Sequence, residues 1–276
     1  MSVKSFISRY LTVFRIIAAI IAFALIGVLL WGANDLLGNP ISYSIAKKNA
    51  QKYIAEKYAA DGYVLEGVSY SFKFKDYLAH VAKNNSEDCR FTVFFGMDGS
   101  FRGDNYESLV QNGSNIRRRL DMSYRELVDS VLESPAYPYS TNIAYGSLIF
   151  EGDEDKSKEK GHDFALSDSI LVPDALYNIT ELGGKAGLLT IYVSTEKAAT
   201  PENAADILLE IKTLMEQAGV MFYAIDLTLQ SSGGDYIIEN FHRSDIYEDG
   251  LAERIRNIGL TTDEYNAKYG AERKDY

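Results

Sequence analysis

RIIAAIIAFALIGVLLWGANDLLGNP, residues 15–40, opens on one arginine, carries no charge from Ile16 to Ala33, and ends in a polar turn. A helix rising ~1.5 Å per residue needs roughly 20 residues to cross an apolar bilayer core, so the run is long enough to span one. A cleaved signal peptide is the competing reading. Its apolar region is usually about 7–15 residues and closes on a small-x-small site, whereas here Gly32 and Ala33 follow the bulky Leu30 and Trp31. The stretch therefore reads as an uncleaved transmembrane helix over 16–33, followed by a polar tether over 34–41.

Lys4, Arg9 and Arg15 precede the span with no acidic residue among them, and the first lysines after it are Lys47 and Lys48. Positive charge favours the cytoplasmic side, so residues 1–15 are expected to be cytoplasmic and everything after the span extracellular. Val3, Phe6, Ile7, Tyr10, Leu11 and Phe14 also fall near one helical face, which suits a helix prolonged along the inner interface. The chain carries a net charge of −11, and all of the excess lies beyond the span. An acidic ectodomain lacks the broad basic footprint that nucleic acid, anionic lipid or an anionic wall polymer requires.

The single cysteine, Cys89, excludes an intramolecular disulfide, so the ectodomain must be stable through its cores alone. Cys89 shares strand parity with Phe91, Val93 and Phe95, which assigns it to packing rather than reactivity.

Two periodicities divide the ectodomain. Ile45, Ala46, Ala50, Tyr53, Ile54 and Tyr58 recur at helical spacing, with Asp61 and Gly62 as the stop. In YVLEGVSYSFKF (63–74), Val64, Val68, Tyr70, Phe72 and Phe74 alternate as on a strand; DYLAHVAK and RFTVFFGMDGSFRG supply two more, the latter turning at Asp98–Gly99. MSYRELVDSVLESP (122–135) reads as a helix capped by Ser123 and Glu126, with Tyr124, Leu127, Val128, Val131 and Leu132 as its apolar stripe. The result is an α-β-β-β domain over 42–136.

From 137 to 276 the order is strand, helix, hairpin and helix. The run from Thr200 to Gly219 has Thr200 as N-cap, Pro201 at the first position and a stripe through Ile207, Leu208, Ile211, Leu214, Met215 and Ala218. VMFYAIDLTLQ, SSGG and DYIIENF form a hairpin, and a short helix follows from about Asp245 to Asn257. This order matches most of a ferredoxin-like split unit, with a strand near 143–150 completing the sheet.

No catalytic, cofactor-binding or metal-ligating residue emerges. His80, His162 and His242 are too scattered for a zinc set, and no G-x-S-x-G elbow occurs. LGGKAG (182–187) lacks the P-loop spacing and reads as a turn into a strand. Asp153 and Asp155, and Glu248 and Asp249, lie in charged loops without the burial that tunes a catalytic acid. The loop after Phe150 fits no calcium pattern, and Arg117–Arg119 read as a solvated helix face beside Glu107, Asp121 and Glu126. Tyr137, Tyr139 and Tyr145 are the tyrosines best placed to form a recognition surface.

GNPISYSIAKKNAQKYIAEKY after a single anchor, FTVFFGMDGSFRGDNYES, MSYRELVDSVLE and the later LLTIYVST, FYAIDLTLQ and IYEDGLAERI resemble the YfjL-like proteins of Gram-positive bacteria. The resemblance implies a PepSY-like or cystatin-like N-terminal domain and a ferredoxin-like C-terminal one outside the cell membrane, and lends no active-site residues. The expected function is a non-catalytic, membrane-anchored binding or interaction module without cofactors. Its partners would be lipid through the one helix and a peptide or another membrane protein, but not nucleic acid. An accessory subunit of a membrane complex and a cell-envelope hydrolase are the alternatives.

Overall fold

The computed structural model describes residues 3–152 and 162–269. The side chains of residues 3–13, most of the expected amphipathic face, lie outside the described residues, as do Asp153 and Asp155. The chain is α+β, with an apolar N-terminal helix and two sheet-containing units, Met1–Asn112 and Gly113–Tyr276.

Helix α1 runs from Val3 to Leu37, and every side chain from Phe14 to Trp31 is exposed. It does not give way to a loose tether after Ala33. Only Gly38 and Asn39 separate it from α2 (Pro40–Lys57), because the polar residues of that stretch are used up in capping. Gly38 takes the left-handed conformation at φ +70°. Asn39 accepts from the Ser42 N–H at 2.8 Å and donates through Nδ2 to Asn34 Oδ1 at 2.9 Å, and Pro40 occupies the first turn of α2.

In the first unit, β1 (Tyr63–Ser71), β2 (Asp76–Lys83), β3 (Arg90–Gly96) and β4 (Phe101–Asp104) form an antiparallel meander in that order, one strand more than expected. Ala46, Ala50 and Ile54 of α2, with Tyr58 just beyond it, close a core with Tyr77, Ala79, Val81, Phe91, Val93 and Phe95. Cys89 is buried in the same core, as its parity required. The parity expected for β1 fails at a bulge between Leu65 and Gly67. Tyr63 and Leu65 face the core before it, and Val68 and Tyr70 after it. Val64 is consequently exposed, and Phe72 and Phe74 lie beyond the strand in solvent.

Asp104 gathers the open end of this core. Its Oδ2 accepts from the hydroxyls of Tyr53 at 2.6 Å and Tyr58 at 3.0 Å and lies 3.4 Å from the Lys57 ammonium, while Oδ1 accepts from the Tyr106 N–H at 3.2 Å. Burial alone would push its carboxyl up. The hydrogen bonds from Tyr53, Tyr106 and Tyr58 and the charge of Lys57 outweigh that and hold it below the usual range.

Helix α3 (Ser114–Leu132) starts at Gly113 rather than at Ser123, which lies inside it. Ile116, Leu120, Tyr124, Val128 and Val131 enter the second core, so the division between units falls at Asn112/Gly113 instead of near residue 136. The second sheet comprises β5 (Ser140–Leu148), β6 (Gly187–Ser194), β7 (Ala224–Gln230), β8 (Tyr236–His242) and β9 (Leu260–Thr261) in sequential order. β6 and β7 are parallel neighbours joined through α5 (Pro201–Gln217); the other neighbouring pairs are antiparallel. The strand order departs from the expected ferredoxin-like split unit, in which a strand sits between the two parallel ones. The turn expected at 182–187 is a helix, α4 (Ile179–Ala186), capped by Asn178. α6 (Leu251–Ile258) starts later than expected, behind a 3₁₀ turn at Arg243–Asp245. α7 (Thr262–Tyr269) follows β9.

Tyr124 is the centre of the second core. It is fully buried and donates to the Met221 carbonyl at 3.1 Å. Three glycines make room for it. A Cβ on Gly146 of β5 would lie 2.5 Å from Val128 and 3.0 Å from the Tyr124 ring; on Gly183 of α4, 2.4 Å from both the ring and the Met221 carbonyl oxygen; on Gly187 of β6, 2.3 Å from the Tyr124 hydroxyl.

Two outcomes follow from this packing. Gly183→Ala should cost ~1–3 kcal/mol in urea unfolding, because overpacking here meets backbone as well as a ring. Gly184→Ala, whose nearest contact would be 3.5 Å away, should be neutral or stabilising through helix propensity. Equal effects would remove the cradle argument. For Asp104, a depressed folded pKa contributes stability that is full above the unfolded value of about 3.9 and is lost as pH falls through the folded one. The stability gap between the wild-type chain and Asp104→Asn should therefore be constant near neutrality and shrink in acid titration below about pH 4.

Candidate functional site

Strand alternation gives the second sheet two unlike faces. Leu189, Ile191 and Val193 of β6 and Ile225, Leu227 and Leu229 of β7 turn into the helix-covered core. Thr190 and Tyr192, and Asp226, Thr228 and Gln230, turn the other way. In a buried β7 of otherwise uncharged residues, Asp226 is only 6% exposed. A buried carboxylate requires polar surroundings, and the opposing strand supplies them.

The register shifts between Ile225 and Leu227, where Ile225 pairs with Phe241 and Leu227 with Ile238. Asp226 thus faces two residues, Glu239 and Asn240, in a β-bulge. Asn240 takes φ +53°, a conformation that asparagine tolerates better than most side chains. Its N–H donates to Asp226 Oδ1 at 2.8 Å. From the far edge, the Tyr265 hydroxyl of α7 reaches towards Glu239 Oε1 at 3.5 Å.

Asp226, Glu239 and Tyr265 line a cleft of about 170 Å³ on the polar face. Asp226, Asp235 and Glu239 contribute carboxylates, Thr190, Thr228, Tyr192 and Tyr265 hydroxyls, and among the described residues none that lines it is basic. The carboxylates accept hydrogen bonds and the two rings offer electron-rich faces, so the cleft suits a small group that donates hydrogen bonds and bears positive charge. One water needs roughly 10–15 Å³ of such space, so the cleft has room for an ammonium or guanidinium head.

Sequence reasoning missed this site. The available signal was Asp226 itself, the one charge in VMFYAIDLTLQ, and the bulge that gathers its neighbours has no glycine to announce it.

The residues weighed from sequence are placed as follows. His162 and His242 come together around Phe164 and Tyr223. His162 Nδ1 is 2.5 Å from Asn240 Oδ1, and His242 Nε2 is 3.1 Å from Asp163. His80 lies in the first unit and pairs across strands with Ser69 at 2.9 Å; both are solvent-facing, and no carboxylate orients the ring among the described residues. Arg117 and Arg119 depart from the expected solvated face. Arg117 is 3.1 Å from Asp168, with its side chain 11% exposed, and Arg119 donates to the Ala175 carbonyl at 3.2 Å. Tyr137 and Tyr139 pack edge to face with each other and both lie against the core, Tyr139 also bonding Glu210, while Tyr145 lies under Arg125. The three tyrosines therefore do not form one open aromatic surface. Glu248 and Asp249 are exposed, and no group of three or more possible metal-ligating residues occurs among the described residues.

No curated protein and no solved structure matches the chain. Two family models do: the YfjL-like N-terminal domain over residues 13–105 and the YfjL-like C-terminal domain over residues 123–256. The matches part on either side of the Asn112/Gly113 division, the first taking in most of α1 and the meander and the second the cleft-bearing sheet up to α6. The chain belongs to the YfjL-like family.

Proposed function

We propose that the protein is a membrane-anchored, extracytoplasmic binding module that holds a cationic group of a peptide, or of a peptide segment of another membrane protein, in the cleft of its second unit. The observation that carries the anchoring is α1, an apolar helix whose side chains from Phe14 to Trp31 have no cover within the chain. So much contiguous apolar surface is stable only in lipid or against a partner. Arg9 and Arg15 close before the span, against no lysine or arginine after it until Lys47, support an exterior placement of both units. One helix across an antiparallel meander supports a PepSY-like or cystatin-like reading of the first unit.

The ligand class follows from the cleft's three carboxylates and its two tyrosines, with no basic residue in its lining among the described residues. A charge-assisted hydrogen bond contributes ~1.5–3 kcal/mol, and a partly enclosed cleft screens it less than open surface does. The groups lining the cleft are equipment for binding, and the reading assigns no covalent step to them.

Placement is testable on intact cells. With Cys89→Ala as background, Leu176→Cys, at a side chain 99% exposed, should react with an impermeant maleimide. Labelling only after permeabilisation would reverse the orientation. For the ligand, calorimetry of the full chain in nanodiscs should show a short lysine-bearing peptide binding and its acetyl-lysine counterpart not binding. Glu239→Gln should weaken that binding about tenfold, the loss of one such hydrogen bond. Equal binding of the two peptides would sink the charge argument.

A further inference from the structure

The hairpin between β1 and β2 carries two exposed aromatic side chains at its tip, Phe72 and Phe74, each 64% exposed. They alternate with Lys73 and Lys75 in the order FKFK. The same hairpin is fastened to the end of α1. Lys75 Nζ lies 2.8 Å from Asp35 Oδ1, and the Tyr70 hydroxyl donates to the Asp35 carbonyl at 3.0 Å. The Tyr77 hydroxyl accepts from the Asn39 N–H and donates to the Asn39 carbonyl, both at 2.9 Å. Around this joint the chain exposes three more large apolar side chains, Leu36, Leu37 and Ile41.

We infer that the FKFK hairpin tip, with Leu36, Leu37 and Ile41, is a second membrane contact that inserts into the headgroup region of the leaflet where α1 emerges. The inference rests on α1 spanning a bilayer. If Ile16–Ala33 fills the hydrocarbon, Asp35 stands ~3 Å beyond its edge, within the headgroup layer. The bonds to Asp35 hold the hairpin at that level. Lysines beside aromatic rings suit this depth, because phosphates meet the ammonium groups while the rings reach the acyl boundary. Lys73 already lies over the Phe74 ring, 5.4 Å from its centroid. An aqueous protein partner would need no such fixed relation to the helix end. The occupant is therefore lipid.

The chain contains one tryptophan, Trp31, in α1, which makes the test direct. The full chain is placed in nanodiscs of phosphatidylcholine and phosphatidylglycerol, plain or brominated on shallow acyl carbons. Trp31 emission should be quenched by the brominated lipid. In a Trp31→Phe background, Phe74→Trp and, separately, Phe72→Trp should each be blue-shifted, lose most of their emission to the brominated lipid and resist aqueous acrylamide. If Trp31 is quenched but both hairpin reporters are quenched by acrylamide and not by bromine, the hairpin contact is overturned while the anchor stands. If Trp31 itself escapes the brominated lipid, the spanning reading fails and the hairpin contact fails with it.

Discussion

The Tyr77 hydroxyl bridges both backbone groups of Asn39, and much of the first unit's relation to α1 depends on that contact. A two-residue connection would ordinarily act as a swivel. Here Gly38 admits no side chain, because a Cβ at that position would lie 2.7 Å from the Tyr77 hydroxyl and 2.9 Å from the Tyr70 ring. Tyr77 is only 1% exposed and packs against Tyr70 and Tyr43, so the group gripping the joint is itself held by the core. Satisfying the N–H and carbonyl of one residue with one side chain removes the incentive for water to enter and loosen the turn. The end of the helix and the meander are consequently joined by side-chain contacts as well as by the main chain. The residues from Asn34 to Pro40 look like a linker in composition and serve as a fastening.

That contrast shows what was legible in the sequence and what was not. The α1 run, the stripe of α2 apart from the exposed Ile45, the Thr200 and Pro201 start of α5, its end at Gly219 and the SSGG hairpin were readable, because each depends on residues close together in the chain. Errors arose where a distant contact overrode the local pattern. Ser123 and Glu126 have capping-box spacing, yet the helix continues through them because Leu120 and Ile116, about one and two turns earlier, have a core to enter. In β1 the alternation was correct on each side of a bulge that the sequence does not mark, so one face was assigned across a parity change. The boundary near residue 136 failed for the same reason as the helix start: a stripe reveals that a helix has a buried face, not which sheet buries it.

The candidate site was less legible than the fold, and for a specific reason. Strand parity would have placed Asp226 with Thr228 on the face opposite Ile225 and Leu227. It could not place Glu239 and Asn240 across from it, since that requires the register of β8 and its bulge. Nor could it bring Tyr265 from α7 over the same face. The glycines of LGGKAG illustrate the converse. Their spacing invited a comparison with phosphate loops, but Gly183 and Gly187 are small because a buried tyrosine from another helix lies against them.

Charge is distributed unevenly along the chain in a way that reconciles an acidic protein with a membrane surface. Over the whole sequence the balance is −11. Between Pro40 and Lys75, however, there are six lysines against three acidic residues. At physiological ionic strength, interactions between exposed charges fall off over about 8 Å, so a lipid phosphate near the joint responds to local lysines rather than to the net charge. Net repulsion from an anionic leaflet and local attraction at the helix end can therefore coexist. The hairpin lysines and the Phe72 and Phe74 rings need add only a weak second contact, because α1 already supplies the high local concentration that makes such a contact effective.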